Sequence, residues 1–558
     1  MKKLLIVVFT VLLSMGCTKE TDIKKDIVSK INMQINSAPA AVGASDVLLE
    51  VMNSSKAVGT KFQYPERDID GWTILTPSND SRLIYVSSSD GDDAQGQIYS
   101  TEDVLDPVNP VGVHAFKSIV KAMRLLRDGY PDWLLLKKGD EWVINYSVEV
   151  KGIGGRSMNE PRVFTAYGEK EKRPVIKTGV KKGFKAFGGQ SFISIVGLKF
   201  YAHTRNPESK EFVGWGNTGN SSGFISLTST GRESKSILIE DSVFDFYASN
   251  IVVTGKGKST NMVVRRNQIL NAYSEKGHGQ GLFITTASLL LEENLLDHNG
   301  WYQQQYIGRN SKLEGQATMF NHNAYLPKLR DSIISNNIIT RASSQGLKFT
   351  ANPDKVLATN TIEGSNIVIE DNLIIEGEVG IGIGGNTDFG DGPRWKGINI
   401  LNNVLLNIGG AMPTARNLAF NITTDDWDGG SIIGNYILFN DNSNITNVIG
   451  ISVSGASREV VINSNVMYGL HAFDENKIMY LKNNEGLKDL TVYGNYTDNS
   501  YNSDFTHFRK DIRSYMQELG EEASLDAFIL GVKQQSKSAW DPNYTTDVVN
   551  MYLKSQFK

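Results

Sequence analysis

The sequence of 558 residues predicts an all-β solenoid with helical segments at its two ends. An asparagine recurs between two short apolar strands at intervals of 27 to 43 residues, the period of a chain whose coils stack on one another. The strands are too short and too evenly spaced for a sandwich of hairpins, and the sequence has no helical crossovers between them. The recurring residues are Asn267, Asn294, Asn337, Asn372, Asn403, Asn435, Asn465 and Asn495.

The repeated asparagine is expected to be structural. Asparagine tolerates the left-handed backbone conformation of a tight turn, and identical amides one coil apart can form a hydrogen-bonded ladder. Regular coils are therefore scaffold, and departures from the period are the places where function is expected.

Residues 1–17 have the composition of a secretion signal. Lys2 and Lys3 precede an apolar run too short for a comfortable membrane span, and Gly16 precedes Cys17, the only cysteine of the chain. The segment resembles a bacterial lipoprotein signal, which implies lipid attachment at Cys17 and contact with a membrane through that lipid only. The TKETD that follows resembles a signal for the outer face of the outer membrane, so a lipid-anchored protein of the cell envelope is expected, either facing the cell surface from the outer membrane or facing the periplasm.

The chain after the signal divides into three parts. Residues 18–82 are expected to be a tether with a docking segment, 83–500 the solenoid, and 501–558 a helical C-terminal cap. The formal net charge of −4 provides no basic footprint for nucleic acid, and a monomer is expected.

Helices are predicted at both ends of the solenoid. AFKSIVKAMRLLRDG places Ile119, Val120, Met123 and Leu126 on one helix face, which would cover the open end of the first coil. Three helical stretches after 500, with Ser524 as an N-cap, are expected to close the other end. A small carbohydrate-binding module is the alternative for this segment.

The repeat unit consists of an aliphatic strand, a turn asparagine, a second aliphatic strand and a third strand led by glycine. This pattern resembles the right-handed parallel β-helix of the pectate-lyase-like superfamily over about 83–500. The resemblance implies activity on polysaccharides, and many lyases of this superfamily use a lysine or arginine base, frequently with calcium held by Asp and Glu.

The longest interval, from Asn294 to Asn337, holds an extension of roughly a dozen residues beyond an ordinary coil. Its aromatic and basic side chains suit stacking on sugar rings and gripping of anions, although packing on the coil beneath is the alternative. The substrate-binding candidates from this region and its neighbours are Trp301, Tyr302, Arg309, Asn323, Arg330, Glu376 and His278.

Two alignments locate further candidates. Counting four residues beyond each turn asparagine places His298, Arg341 and Glu376 in one polar column, which could also be a structural ladder. Aligning the glycine-led strands puts Lys348 on the outer face, because the apolar Leu347 and Phe349 on either side of it must point inward.

These residues suit β-elimination from a uronate, which needs a group that screens the carboxylate, a base for the adjacent proton and an acid for the leaving oxygen. Arg341 is the candidate for the carboxylate, with Arg309 or Arg330 assisting. Lys348, His322, His298 and Tyr325 are candidate bases, and Tyr325 is also a candidate acid.

Other functions remain open in the sequence. A glycoside hydrolase could use Asp297, Glu376 or Glu378, and GHGQG at His278 superficially matches a hydrolase signature. A uronate epimerase would abstract the same proton, and a surface glycan-binding or adhesion lipoprotein would need no catalytic group.

Metal binding is weakly indicated. Calcium is considered, but the Asp-Gly segments at 387–392 and 425–430 are typical of turns. Zinc is disfavoured, because His278, His298 and His322 are not at ligand spacing.

Overall fold

A computed structural model describes residues 62, 65–150, 152, 154–285, 287–302, 313–350, 364–384, 395–439, 447–470, 479–481, 489–498 and 510–557. The lipidation candidate Cys17, the signal segment and Arg309 lie outside these residues.

The described residues form a right-handed parallel β-helix, which confirms the predicted solenoid. Its strands stack in three long sheets, and each coil visits sheet A, sheet B and sheet C in turn. Sheet A contains β1 (Leu83–Val86), β2 (Ile98–Tyr99), β3 (Trp133–Lys137), β6 (Arg162–Tyr167), β9 (Ile193–Val196), β12 (Glu233–Glu240), β15 (Lys258–Arg265), β18 (Ala287–Glu292), β21 (Arg330–Ser335), β24 (Gly364–Glu370), β27 (Trp395–Leu401), β30 (Trp427–Ile433), β33 (Arg458–Asn463) and β36 (Thr491–Tyr493). Sheet B contains β4 (Glu141–Val143), β7 (Val175–Lys177), β10 (Lys199–Tyr201), β13 (Val243–Asp245), β16 (Gln268–Leu270), β19 (Leu295–Asp297), β22 (Ile338–Thr340), β25 (Leu373–Ile375), β28 (Val404–Leu406), β31 (Tyr436–Leu438), β34 (Val466–Tyr468) and β37 (Tyr496–Asp498). Sheet C contains β5 (Val148–Val150), β8 (Phe184–Phe187), β11 (Ser222–Thr228), β14 (Ser249–Gly255), β17 (Gln280–Ile284), β20 (His322–Tyr325), β23 (Gln345–Phe349), β26 (Val379–Ile383), β29 (Ala419–Asp425), β32 (Val448–Ser454) and β35 (Met479–Leu481).

The turn between sheets A and B carries the predicted asparagine ladder. Asn372 Nδ2 donates to Asn403 Oδ1 at 2.9 Å, and Asn337 Nδ2 donates to Asn372 Oδ1 at 2.9 Å. The same bond joins each neighbouring pair from Asn267 to Asn495. All of these side chains except that of Asn495 are almost fully buried, so the ladder satisfies amides that would otherwise be costly inside the protein.

The left-handed backbone conformation of this turn lies one residue before the asparagine, and not at the asparagine as the sequence predicts. The residue before each ladder asparagine has positive φ, as at Glu293 (54°), Asn336 (55°) and Asp371 (55°). The asparagine itself contributes its side-chain amide, so turn geometry and amide bonding are divided between two adjacent positions.

Apolar side chains from all three sheets fill the interior as one continuous core. At its N-terminal end helix α1 (Ile119–Met123) buries Ile119 and Ala122 against Ile84 and Leu134. The helix is shorter than predicted, and Val120 is 40% exposed instead of lying on the buried face.

Three helices follow the solenoid: α2 (Ile512–Glu518), α3 (Leu525–Gln534) and α4 (Thr546–Lys554). Ser524 caps α3, since its side chain accepts from the backbone of Ala527 at 3.0 Å. Short 3-10 turns occur at His203–Arg205, Leu313–Gly315, Pro542–Tyr544 and Ser555–Phe557.

The C-terminal helices do not close the end of the solenoid, contrary to the prediction. They pack along its flank on the outer face of sheet B, where Phe528, Val549 and Leu553 cover apolar residues such as Leu295 and Leu373. Many outward side chains of sheet B in these coils, such as Val243, Leu373 and Val404, are apolar, so this flank needs a cover as much as an end does.

The segment after residue 65 crosses the outer face of sheet A. Thr73 donates to Glu240 through its backbone and its hydroxyl, and Trp72 packs edge-on against Trp540 with 5.3 Å between ring centroids. The Arg266 guanidinium lies over both rings, so the two terminal segments meet on one coil.

Across the described ranges, no helix has both the length and the apolar character needed to cross a membrane.

Candidate functional site

One row of outward side chains runs along sheet C from coil to coil. Strand register places these residues side by side at about 4.8 Å per step. The row comprises Ile225, Val252, Phe283, Tyr325, Lys348, Gly382, Thr423 and Ser452. We call it the sheet C row, and Lys348 lies in its middle.

Lys348 is outward and half-buried, as the alternation of its strand predicted. Its Nζ donates to the carbonyl of Gly384 at 3.2 Å. Burial lowers the pKa of Lys348 to about 8, the charge of Arg416 adds to this shift, and Asp425 opposes it. An amine with this pKa is partly unprotonated near neutral pH and can accept a proton.

Tyr325 is the register partner of Lys348 on the neighbouring coil. Its ring lies between Phe283, at 5.5 Å, and His322, at 5.6 Å between centroids. Burial raises the pKa of Tyr325 and Thr350 partly opposes the shift, so the phenol keeps its proton at neutral pH. A half-buried phenol next to a deprotonatable amine provides an acid and a base on adjacent coils.

His322 lies on the same face but is a poor base. It is 5% exposed, and burial lowers its pKa well below the ordinary value, with Lys348 and Arg416 adding to the shift. Its backbone N–H donates to Gln280 Oε1 at 2.7 Å. The imidazole is therefore neutral, suited to hydrogen bonding and not to charge stabilisation.

Two buried polar atoms beside Lys348 have no hydrogen-bond partner within the described ranges: His322 Nδ1 and Gln345 Oε1. His322 and Gln345 are register partners, so the atoms belong to adjacent coils. Buried polar atoms are rarely left unpaired in folded proteins, which makes this pair a candidate ligand contact.

Arg416 provides the cation at this site. Its Nε lies 2.9 Å from Glu378 Oε2, and its Nη2 donates to Ser344 Oγ at 2.8 Å. Glu378 in turn accepts from the backbone and hydroxyl of Thr414, so the guanidinium is held by a buried, hydrogen-bonded carboxylate. A guanidinium fixed in this way can stabilise developing negative charge without rearranging.

Two carboxyl groups lie on the C-terminal side of Lys348. Burial raises the pKa of Asp425 to about 6, and the neighbouring Asp426 adds to the shift. Both groups approach Gly455, where a side chain would collide with them. Glycoside hydrolysis requires two carboxyl groups that face each other across the scissile bond. Asp425 and Asp426 are adjacent in sequence and do not have this arrangement.

The structure places Arg341 and His298 elsewhere. Arg341 forms a bidentate pair with Asp297, at 2.7 and 2.6 Å, and also contacts Asp526 of helix α3 at 2.7 Å. Asp297 is fully buried and additionally pairs with Lys533 at 2.8 Å. The predicted carboxylate-binding arginine is therefore used to join sheet B to the C-terminal helices.

The polar column counted from the asparagines exists, but it consists of turn residues. His298, Arg341 and Glu376 have φ of 55°, 51° and 60°, in the left-handed turn between sheets B and C. Burial lowers the pKa of His298 to about 4, which makes it a weak base at neutral pH. Its ring packs on Trp301 with 4.4 Å between centroids.

Three of the remaining candidates, Trp301, Tyr302 and Asn323, belong to the scaffold. Trp301 donates to the carbonyl of Arg341 at 2.9 Å, and Tyr302 packs among Trp215 and Tyr273. Asn323 is fully buried and accepts from Asn299 at 2.9 Å, in a second, shorter ladder.

Two further candidates lie on opposite sides of the coil. Arg330 begins a strand of sheet A and is exposed there, away from the sheet C row. His278 is exposed next to Phe320, at 5.5 Å, and lies close enough to His322 to affect its pKa. Lys348, Tyr325, His322 and His278 are thus the candidates that the structure brings together.

Sequence patterns do not single out Arg416 or Asp425 as site residues. Arg416 lies in the loop before β29, and β29, which ends at Asp425, has Asn421 where the neighbouring strands have glycine, so an alignment on glycine skips this coil. Asn323 occupies the equivalent position in the strand of Tyr325. Treating glycine and asparagine as equivalent at this position would have placed Tyr325 and Thr423 in the row.

In the part of the chain that the structure describes, no group of three or more His, Cys, Asp or Glu side chains could hold a metal ion. The segment 387–392, considered for calcium, lies outside the described residues.

Comparison with known proteins gives distant structural likenesses only. No family model and no curated protein matches the chain. A rhamnogalacturonan lyase is 12% identical with a TM-score of 0.44, covering 70% of this chain and 89% of that one. A GH136 lacto-N-biosidase from Eubacterium ramulus is 13% identical with a TM-score of 0.39, covering 74% and 67%. A mannuronic acid specific polysaccharide family 6 lyase from human gut microbiota is 13% identical with a TM-score of 0.35, covering 68% and 84%. With TM-scores this low, no residue role is taken from them.

Proposed function

We propose that this protein is a polysaccharide lyase that cleaves a uronate-containing polymer by β-elimination at the sheet C row. The observation that carries the proposal is the register pairing of Tyr325 with Lys348 on one outer face. Because their environments move the two pKa values in opposite directions, the amine can lose its proton while the phenol retains its own.

The roles follow from the chemistry of elimination. The Lys348 amine accepts the proton from C5 of the uronate, the bond between C4 and the glycosidic oxygen breaks, and a C4–C5 double bond forms. Tyr325 donates its phenolic proton to the departing oxygen, and Arg416 screens the carboxylate as charge moves onto it. Arg416 thus takes the role that the sequence assigned to Arg341.

Burial brings the pKa of Lys348 close to neutral pH, where the amine can act as a base. With a pKa of about 8, roughly one Lys348 in ten is neutral at pH 7, whereas an ordinary lysine is almost entirely protonated. The neutral His322 and the unpartnered Gln345 Oε1 are suited to hydroxyl groups of the bound sugar.

The experiment is incubation with alginate, polygalacturonate, chondroitin and ulvan, read at the ultraviolet absorbance of the unsaturated uronate. Lys348→Ala should abolish the absorbance increase. Lys185→Ala is the matched control, because Lys185 is the register partner of Ile225, one coil beyond the N-terminal end of the sheet C row, and pairs with Glu149 at 2.9 Å.

Other outcomes would identify a different function. New reducing ends without the absorbance would indicate a hydrolase, and deuterium uptake from solvent without chain shortening would indicate an epimerase. Binding without either change would indicate a surface glycan-binding protein.

We also propose that the protein is attached to the cell envelope through a lipid at Cys17. Support comes from the basic and apolar residues before Gly16 and Cys17. Metabolic labelling with a fatty acid should mark the wild type and not Cys17→Ser, and protease treatment of whole cells would test surface exposure. Labelling of Cys17→Ser equal to that of the wild type would overturn the proposal.

A further inference from the structure

Gln345 belongs to the same strand as Lys348, β23, and its side chain reaches toward the next coil. The residue is 7% exposed, and its Oε1 has no hydrogen-bond partner among the residues that the structure describes. A side chain at Gly382, the register partner of Lys348, would collide with this oxygen. The amide oxygen therefore occupies the space above Gly382, one register step along the sheet C row from Lys348.

His322 contributes a second atom of this kind. Its Nδ1 is buried and is also without a hydrogen-bond partner in the described part of the chain, and His322 is the register partner of Gln345 on the preceding coil. A buried polar atom that has lost water and gained no partner is costly. A ligand that supplies the missing hydrogen bond therefore binds more tightly at this place.

A hydroxyl group fits both atoms. The oxygen of Gln345 only accepts hydrogen bonds, whereas each nitrogen of a neutral histidine donates or accepts according to its tautomer. A hydroxyl group can both donate and accept, so it satisfies the amide oxygen and either tautomer of His322. A carboxylate has no hydrogen to donate to Gln345, so the carboxylate of the sugar belongs at Arg416 and a hydroxyl group at Gln345.

Acylation of that hydroxyl group would remove the hydrogen that Gln345 needs. An ester oxygen cannot donate, so Oε1 would stay buried and unpaired beneath the bound sugar. The acyl group would also need the space above Gly382 that the amide occupies. A site that hydrogen-bonds a substrate hydroxyl discriminates strongly against an analogue without it, because the polar group of the site is then left unpaired.

We propose that Gln345 determines specificity for uronates whose secondary hydroxyl groups are free, and that the site excludes O-acetylated residues. The inference rests on the proposed function, since it concerns the sugar held at Lys348 and Arg416. On an acetylated polymer, hydrolysis of the ester must precede cleavage: water adds to the ester carbonyl, the bond between the acyl carbon and the sugar oxygen breaks, and acetate and the free hydroxyl group are released.

The test compares one polymer in two forms. The polymer of the panel that is cleaved fastest is O-acetylated with acetic anhydride, and a portion is then saponified to restore the hydroxyl groups. The wild type should cleave the acetylated form at least about tenfold more slowly and should recover its full rate on the saponified portion. Equal rates on the acetylated and free forms would overturn the inference.

Gln345→Ala separates hydrogen bonding at Gln345 from a general effect of acetylation. It should lower kcat/KM on the free polymer about five- to tenfold, the contribution of one hydrogen bond, and should leave kcat/KM on the acetylated polymer unchanged. The ratio between the two forms should therefore narrow. Gln517→Ala, at an exposed glutamine of helix α2, is the matched control and should keep the wild-type ratio. A wild-type ratio in Gln345→Ala would overturn the role of Gln345.

Gly382→Ala is a second variant, which retains the amide but displaces it. The φ of Gly382 lies outside the left-handed region, so alanine suits the backbone, while its methyl group would push Gln345 Oε1 aside. The ratio between the two forms should narrow as it does in Gln345→Ala. The double variant should be no worse than either single variant, because both remove the same contact. Additive losses would overturn this placement of the amide.

Binding separates this inference from the lyase proposal. Calorimetry uses Lys348→Ala protein and oligosaccharides of the panel polymer that binds most tightly, in free and O-acetylated forms of equal length. The free form should bind at least about tenfold more tightly, and adding Gln345→Ala should narrow the difference. Absence of unsaturated product from every polymer would overturn the lyase proposal, whereas equal binding of the two forms would overturn the hydroxyl specificity alone.

Discussion

Tyr325 and Lys348 are register partners on adjacent strands of sheet C, so a phenol and an amine lie side by side on one outer face. Burial affects them in opposite senses, since it keeps the phenol protonated and makes the amine easier to deprotonate. The pair therefore offers an acid and a base at the separation of neighbouring coils. Its consequences can be measured.

Replacing either member of the pair should reduce catalysis without unfolding the protein. Lys348→Ala and Tyr325→Phe are each expected to lower kcat by about 10²-fold or more, the usual contribution of a positioned acid or base. Both side chains point outward, so both variants should remain folded and should unfold in a cooperative thermal transition. Wild-type rates in Tyr325→Phe would remove Tyr325 as the acid.

The pH dependence should report Lys348. kcat/KM is expected to rise with pH and to level off above an apparent pKa of about 8, because only the neutral amine accepts a proton. Asp425→Asn removes a carboxyl group that raises the Lys348 pKa, so the rise should move to lower pH. A shift to higher pH would contradict the assignment.

The Lys348 amine should lower the free energy of unfolding at neutral pH. Its pKa is about 8 in the folded protein against an ordinary 10.5, so the unfolded chain binds more protons between these values and stability rises with pH across that window. Lys348→Met should lack this rise and should unfold at higher denaturant at pH 7, by about 1 to 3 kcal/mol. Chemical denaturation at pH 7 and pH 10 measures both effects, and an unchanged free energy at pH 7 would show that the amine is well solvated.

Arg341 should matter for stability and not for the active-site pKa. Arg341→Ala leaves the buried Asp297 with Lys533 as its remaining cation within the described ranges, and is expected to cost about 2 to 4 kcal/mol. The matched control is Arg458→Ala, since Arg458 pairs with Asp428 at the surface and its loss should be much smaller. The folded Arg341→Ala protein should keep the kcat/KM pH profile of the wild type. A changed profile would indicate that Arg341 belongs to the active site.

Substitution of a buried asparagine in the middle of the ladder should destabilise the protein. Asn372→Ala removes the acceptor of the buried Asn337 backbone N–H and one acceptor of its side-chain amide, which keeps the carbonyls of Leu291 and Ser335. We expect a loss of about 2 to 4 kcal/mol by denaturant unfolding. Asn217→Ala, at an exposed asparagine, is the control and should have little effect.

The sequence was sufficient for the architecture because the repeat and the alternation are local. Leu347 and Phe349 had to face the core, and that placed Lys348 outside. Arg341 was misassigned because counting along the chain gives a residue's coil but not its partners. Asp297 and the C-terminal helix that carries Asp526 are brought to it only by folding.

Local sequence patterns do not predict that Arg416 lies beside Lys348. Arg416 belongs to a loop that enters sheet C, and its orientation depends on Glu378 and Ser344 from other coils. No spacing rule connects these three residues, since their approach depends on the path of the loop. The C-terminal helices were placed at the end instead of on the flank for a similar reason, because their apolar faces fit either surface.

The position of these helices bears on how the molecule unravels. In a simple repeat array each coil contacts only its neighbours, and terminal coils can peel away one after another. Here Arg173 donates to the carbonyl of Gln535 at 2.9 Å, while Tyr468 packs against Phe557 with 5.6 Å between centroids. The C-terminal segment therefore contacts both an early coil and a late coil. Unfolding of the coils at either end also requires the release of this segment. The coils between these two contacts are thereby coupled into a single cooperative unit.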